Sequence, residues 1–166
     1  MKSLRENLIR SLKKDRFINE SIKPADEKLF WRWIDAMGGP ENISDPDSVF
    51  DKAIKLHTTP EQWELFSDIY YHYKSEIENT YYDYSDELDL SYGDDGIEYM
   101  SAGAVWQGEK VVKRFLEKHD NPDEIFNFDW ADGEEMLGIF EDTEAYEDYY
   151  GDETEIDPKV RKMKFK

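Results

Sequence analysis

Apolar residues return along most of this chain at steps of three and four, the spacing that puts them on one face of a helix. Over residues 3–14, Leu4, Leu8, Ile9 and Leu12 stand among Lys and Arg and predict a basic amphipathic helix. After Pro24, the positions Leu29, Phe30, Trp33, Ile34 and Met37 predict a helix over 25–37 that stops at Gly38 and Gly39. Asp45 and Pro46 supply a cap and a first-turn proline ahead of Val49, Phe50, Ala53 and Ile54. Thr59, Pro60 and Gln62 resemble a capping box at the head of the longest periodic run, in which Trp63, Phe66, Tyr70, Tyr73 and Ile77 form an unbroken stripe over four turns. That helix is expected to be central.

From Tyr81 to Asp95 the periodicity fails amid Tyr, Asp, Ser and Gly, which predicts a loop or a short irregular extension. The pattern resumes with Asp95 as a cap, Glu98 three residues on, and Ile97, Met100, Ala104 and Val105 facing inward. The small residues Ser101 to Ala104 leave room for another helix to approach closely. Gly108 permits a bend before Val111, Val112, Phe115 and Leu116, whose helix is closed by Asn121 and Pro122, and Met136, Leu137 and Phe140 mark a last helix over about 133–148. No strand-like alternation and no internal repeat interrupts this series. The expected fold is all-α: a single-domain, irregular bundle of about six helices with one long central helix. Its expected parts are a basic helix over 1–23, an acidic helical domain over 24–150, and a linker and basic tail over 151–166.

Charge changes the picture. Forty acidic against 21 basic residues in a chain of 166 give a net charge of -19, which opposes compaction by self-repulsion and attracts cationic partners. The charge is segregated: residues 120–157 hold sixteen acids and no base, whereas Lys159, Arg161, Lys162, Lys164 and Lys166 make the end basic. This tail is expected to fold back and screen its acidic neighbour, the alternatives being a solvated tail or a partner contact. Direct nucleic-acid binding is not expected, because phosphate recognition needs clustered Lys and Arg. The absence of cysteine removes disulfides and thiolate chemistry, and fits the cytoplasm. Residues 1–14 lack the apolar centre of a signal peptide and no run approaches a membrane span, so no membrane association is expected.

Catalytic chemistry finds little material. His57, His72 and His119 have no triad-like partners in spacing, and neither a P-loop nor a GxGxxG motif is present. Asp83, Asp86, Asp89, Asp94 and Asp95 precede Gly96 with spacing that departs from an EF-hand loop, so no metal or cofactor is assigned. The tyrosines are more telling. Eight of them lie between Tyr70 and Tyr99, more than one helix stripe buries, and tyrosine exposed among carboxylates suits a surface that accepts Lys and Arg by charge and by cation-π contact. The candidate binding residues are Tyr71, Tyr81, Tyr82, Tyr84, Asp94, Asp95, Tyr99, Trp106 and Gln107.

Two stretches resemble the bacterial domain-of-unknown-function 4240 family. Phe30, Trp31, Ile34 and Asp35 are similar to its opening helix, and Asp94-Asp95-Gly96, Tyr99, Trp106 and Gln107-Gly108 to its central signature, with Glu144 to Glu147 similar to a closing piece. The likeness spans about residues 27–148 and implies a fold but no activity. The function expected from these features is binding of a basic protein, such as a toxin or a regulator, by a protein of the immunity or regulatory kind. An enzyme or small-ligand site around Asp94 to Gly108 is the alternative from a different class, and a nucleic-acid mimic is a third.

Overall fold

A proline at the first helical position and two acids in the first turn start α1, Pro24–Met37, whose positive end Asp26 and Glu27 complement. The left-handed Gly38 ends it, donating its N–H to the Asp35 carbonyl. The computed structural model describes residues 22–39, 46–87, 90–127, 129–140, 159 and 162–166. The helix expected over 3–14, the Asp45 cap and residues 141–148 of the last expected helix lie outside them. Among the described residues there are seven helices and no strand, an all-α bundle.

The second helix, α2, spans Pro46–Lys55 and is closed at His57, which donates its N–H to the Ile54 carbonyl and whose positive φ turns the Thr58 N–H onto the Ala53 carbonyl. The central helix α3, Pro60–Tyr84, starts with the expected capping box: Thr59 Oγ1 accepts from the Gln62 N–H and Gln62 Oε1 accepts from the Thr59 N–H, each at 3.3 Å. Its stripe of Trp63, Phe66, Tyr70, Tyr73 and Ile77 is buried throughout.

The segment from Tyr81, expected as a loop or a short irregular extension, is regular helix in its first four residues. They continue α3, because Tyr81 falls one turn beyond Ile77 and extends the buried stripe. The fourth helix, α4, runs Asp94–Ala104 with Gly93 rather than Asp95 at the cap position, and Asp94 and Asp95 occupy its first turn. Ile97, Met100, Ala104 and Val105 are buried as the spacing predicts. A single 3-10 turn, Val105–Gln107, leads into α5, Glu109–Lys118. The junction is Gly108, at φ 98°, where a side chain would strain the backbone and a Cβ would lie 3.2 Å from Asp35 Oδ1.

The left-handed His119 ends α5. Asn121 and Pro122 begin a further short helix instead of closing the previous one: α6, Pro122–Ile125, has Asn121 Oδ1 accepting from the Asp123 N–H. The last helix, α7, is Trp130–Gly138. Its contact with α4 is the most extensive between any two helices here. A Cβ on Gly133 would lie 2.8 Å from the Tyr99 carbonyl carbon and closer still to its oxygen, so the backbones meet at a glycine. The close approach falls at Tyr99, before the small residues Ser101 to Ala104, and it is α7 that contributes the glycine.

Aromatic rings fill the centre. Trp33 touches Phe30, Trp63, Phe66, Trp106 and Phe140 with ring centroids 4.9–6.4 Å apart, and its indole N–H donates to Thr58 Oγ1 at 2.9 Å within the core. The described end of the tail also joins the body, with Phe165 packed on the core.

Candidate functional site

Successive helical residues point about 100° apart. At the end of α3 this splits a tyrosine pair: Tyr81 is buried, whereas Tyr82 is 58% exposed and is one of two large apolar side chains so exposed among the described residues. Tyr81 then organises the chain that follows. Its hydroxyl accepts the Tyr92 N–H at 2.9 Å and the two rings stack with centroids 5.0 Å apart, which brings the start of α4 beside the end of α3.

The consequence is a face built from α3, α4 and α7. Partial burial and then the carboxylates of Asp94, Glu78 and Glu98 push the Tyr82 phenol above its ordinary value. Tyr99 is likewise raised, by local desolvation and then by Glu134 of α7, to which it is hydrogen-bonded, and by Asp95 and Glu98. Two accessible phenols are thus ringed by carboxylates of three helices. Lys74 bridges part of the ring, 2.5 Å from Glu78 Oε1 and 4.0 Å from Glu98 Oε1, and Ser101 Oγ donates to Glu78 at 2.7 Å. Asp94 and Asp95 remain exposed.

The other sequence candidates divide. Tyr71 lies three turns back along the same strip of α3 as Glu78 and Tyr82, half-buried and edge-on to Tyr70. Tyr84 turns aside to stack on His119, with ring centroids 3.5 Å apart. Trp106 is a core residue, stacked on Phe140 and 1% exposed, and Gln107 donates to the Asn127 carbonyl at 3.4 Å. Both sit at the far end of α4 from Asp94 and Asp95, about 18 Å away at 1.5 Å per residue. Asp94, Asp95, Trp106 and Gln107 therefore do not converge on one pocket. Among the described residues no group of three or more His, Asp or Glu side chains is arranged to hold a metal ion, and no helix is long and apolar enough to cross a membrane.

A second polar cluster was invisible in the sequence. Glu27 of α1, Tyr73 of α3 and Lys113 of α5 meet where the three helices come together: the Tyr73 hydroxyl donates to Glu27 Oε1, and Lys113 Nζ lies 3.1 Å from the same oxygen and 2.7 Å from Glu109. The Tyr73 hydrogen bond, with Lys113 assisting against burial, holds the Glu27 carboxyl below its ordinary value. Burial and then Glu27 push the Tyr73 phenol up, and Glu109 and Glu27 push Lys113 up. The shifts favour a neutral Tyr73 phenol, an ionised Glu27 and a charged Lys113, and their mutual contacts fasten three helices together. The cluster's three members are 40 or more residues apart in sequence, and no local spacing marks them.

No family model, no curated protein and no solved structure matches this chain.

Proposed function

We propose that this chain is a binding domain of the immunity or regulatory kind that docks a basic protein on the face of Glu78, Tyr82, Asp94, Asp95, Glu98, Tyr99 and Glu134. One observation carries the reading: Tyr82 is held open to solvent in the field of three carboxylates from two helices. An exposed aromatic ring is the kind of anchor that interfaces use, and ringed by carboxylates it suits Lys or Arg by charge and by the ring face together. The net charge of -19 adds long-range attraction for such a partner. The separation of Asp94 and Asp95 from Trp106 weighs against a small-ligand pocket there. The likeness to the domain-of-unknown-function 4240 family implies no activity and adds nothing to this choice.

The test is a photoreactive phenylalanine analogue at position 82, with the same label at exposed Asp51 on α2 as control, irradiated in native extract. At an ionic strength of about 0.01 M, where screening acts over about 30 Å, the label at 82 is expected to capture a basic protein that the control misses. At about 1 M, where the range is about 3 Å, the product is expected to fade. Equal capture from both positions, or none from 82 at low salt, would refute the reading.

A further inference from the structure

The described end of the tail meets the body through its backbone and one aromatic ring. Gln62 Oε1 accepts the Phe165 N–H at 2.9 Å and Gln62 Nε2 donates to the Phe165 carbonyl at 2.9 Å, so one side-chain amide pairs both backbone groups of one residue, as a neighbouring strand would. Beyond it, Arg32 Nη2 donates to the Lys166 carbonyl at 2.8 Å. The Phe165 ring turns inward onto Phe66, edge to face at 6.5 Å, while Lys164, Lys166 and Met163 stay exposed. One inward residue between outward neighbours is the alternation of an extended chain.

The receptor side is built. Gln62 is 8% exposed, and its amide is oriented by the capping box as well as by the tail. Its oxygen receives two N–H groups, from Thr59 and Phe165, so a rotated amide would oppose donor to donor at both. Arg32 and Phe66 come from α1 and α3, and the groove between them lies at the opposite end of α3 from Tyr82, about 30 Å away.

We propose that the groove of Arg32, Gln62 and Phe66 is a peptide-docking site for an extended basic segment with one inward aromatic residue, filled in cis by residues 163–166 and open to a segment of the same chemistry in trans when the tail leaves. The recognition is divided: Gln62 reads backbone, Phe66 reads the ring, and the acidic body attracts the flanking lysines without specifying them. A tethered tail competes at an effective concentration on the order of 1 mM, so a site that binds free peptide at about 100 µM is occluded about tenfold in the intact chain.

The experiment uses the full chain and a fluorescent peptide of the sequence of residues 159–166. Phe165→Ala in the full chain frees the groove and is expected to bind the peptide about tenfold more tightly than the unaltered chain does. A control peptide with Ala in place of Phe keeps every charge and is expected to lose at least tenfold in affinity for the Phe165→Ala chain. Equal binding of both peptides would mean attraction by charge alone and would overturn the proposal, as would equal binding by both chains or no binding by either. A second measurement needs no variant. Excess wild-type peptide added to the isotope-labelled intact chain is expected to shift the amide signals of residues 162–166 to free-peptide positions while the control peptide leaves them in place; tail signals unmoved by either peptide would equally overturn it.

Discussion

Gly133→Ala opposes two effects of similar size, and the structure decides between them. Within a helix, replacing glycine by alanine ordinarily stabilises by about 1 kcal/mol, because alanine has less backbone freedom to lose. At Gly133 the new methyl would stand 2.8 Å from the carbonyl carbon of Tyr99 and closer to its oxygen, where contact normally begins near 3.4 Å. The obstacle is backbone, which cannot rotate aside as a side chain does, so α7 must move off α4 by roughly the missing distance, on the order of 1 Å. Overpacking of this kind costs about 1–3 kcal/mol, with the upper part of the range expected because a helix has to shift. The net prediction is destabilisation by about 1–2 kcal/mol, a fall in melting temperature of about 2–4 °C per kcal/mol for a chain of this size. Gly138→Ala on the same helix, with nothing within 4 Å of the added methyl, is the control, expected to be neutral or stabilising by a few tenths of a kcal/mol. Urea unfolding followed by helical circular dichroism gives both values. If Gly133→Ala proves as stable as Gly138→Ala, the close approach of α4 and α7 is wrong, and with it the position of Glu134 beside Tyr99.

Three further outcomes follow from the packing and the polar contacts. Tyr73→Phe removes a hydrogen bond to a charged group and is expected to cost about 1.5–3 kcal/mol in the same assay. The pH dependence has a definite sign: Glu27, depressed in the fold, contributes stability above its ordinary 4.5 that is lost as pH falls through the folded value, so Glu27→Gln flattens the acid limb of a stability–pH curve. Tyr73 and Lys113, both raised, contribute stability that is fully present below about 10 and lost at higher pH, so Tyr73→Phe removes part of the alkaline limb and, by taking away the largest cause of the Glu27 depression, weakens the acid limb as well. Thr58→Val leaves the buried Trp33 indole N–H without an acceptor, and unfolding midpoints should report a loss of about 1–3 kcal/mol.

Local signals were legible wherever the chain decides its own conformation. The Thr59 and Gln62 box and the stripe from Trp63 to Ile77 lie within a few turns of one another, and both stand in the fold as their spacing predicts. The end of α3 was not legible, because Tyr81 to Tyr84 are polar enough in company with Asp83 to resemble a loop. Their helicity comes from Tyr81 finding a buried place and from Tyr92 stacking on it. Ser101 to Ala104 suggested where a neighbour would come close, but the close approach is at Tyr99, and nothing near it in sequence pointed to Gly133. The tyrosine and acid face was half legible: composition identified the segment, while the helical phase that buries Tyr81 and exposes Tyr82 required the helix to be known there. Trp106, expected at a site, is core. The tail's lysines were legible as charge, whereas the main-chain hydrogen bonds and the inward Phe165 ring at its described end leave no trace in composition.

The end of α3 has an electrical consequence of its own. Aligned peptide dipoles leave about half a negative charge at a helix C-terminus, where Lys, Arg or His in the last turn normally offsets it. The last turn of α3 holds no basic residue, and Glu78 and Asp83 add negative charge around it. On the proposed reading, a cation delivered there by a partner would relieve that repulsion as well as meet the carboxylates, and binding would then stabilise the helix end at residues 81–84. Amide exchange in those residues should slow with added salt, and slow further with a bound cationic partner.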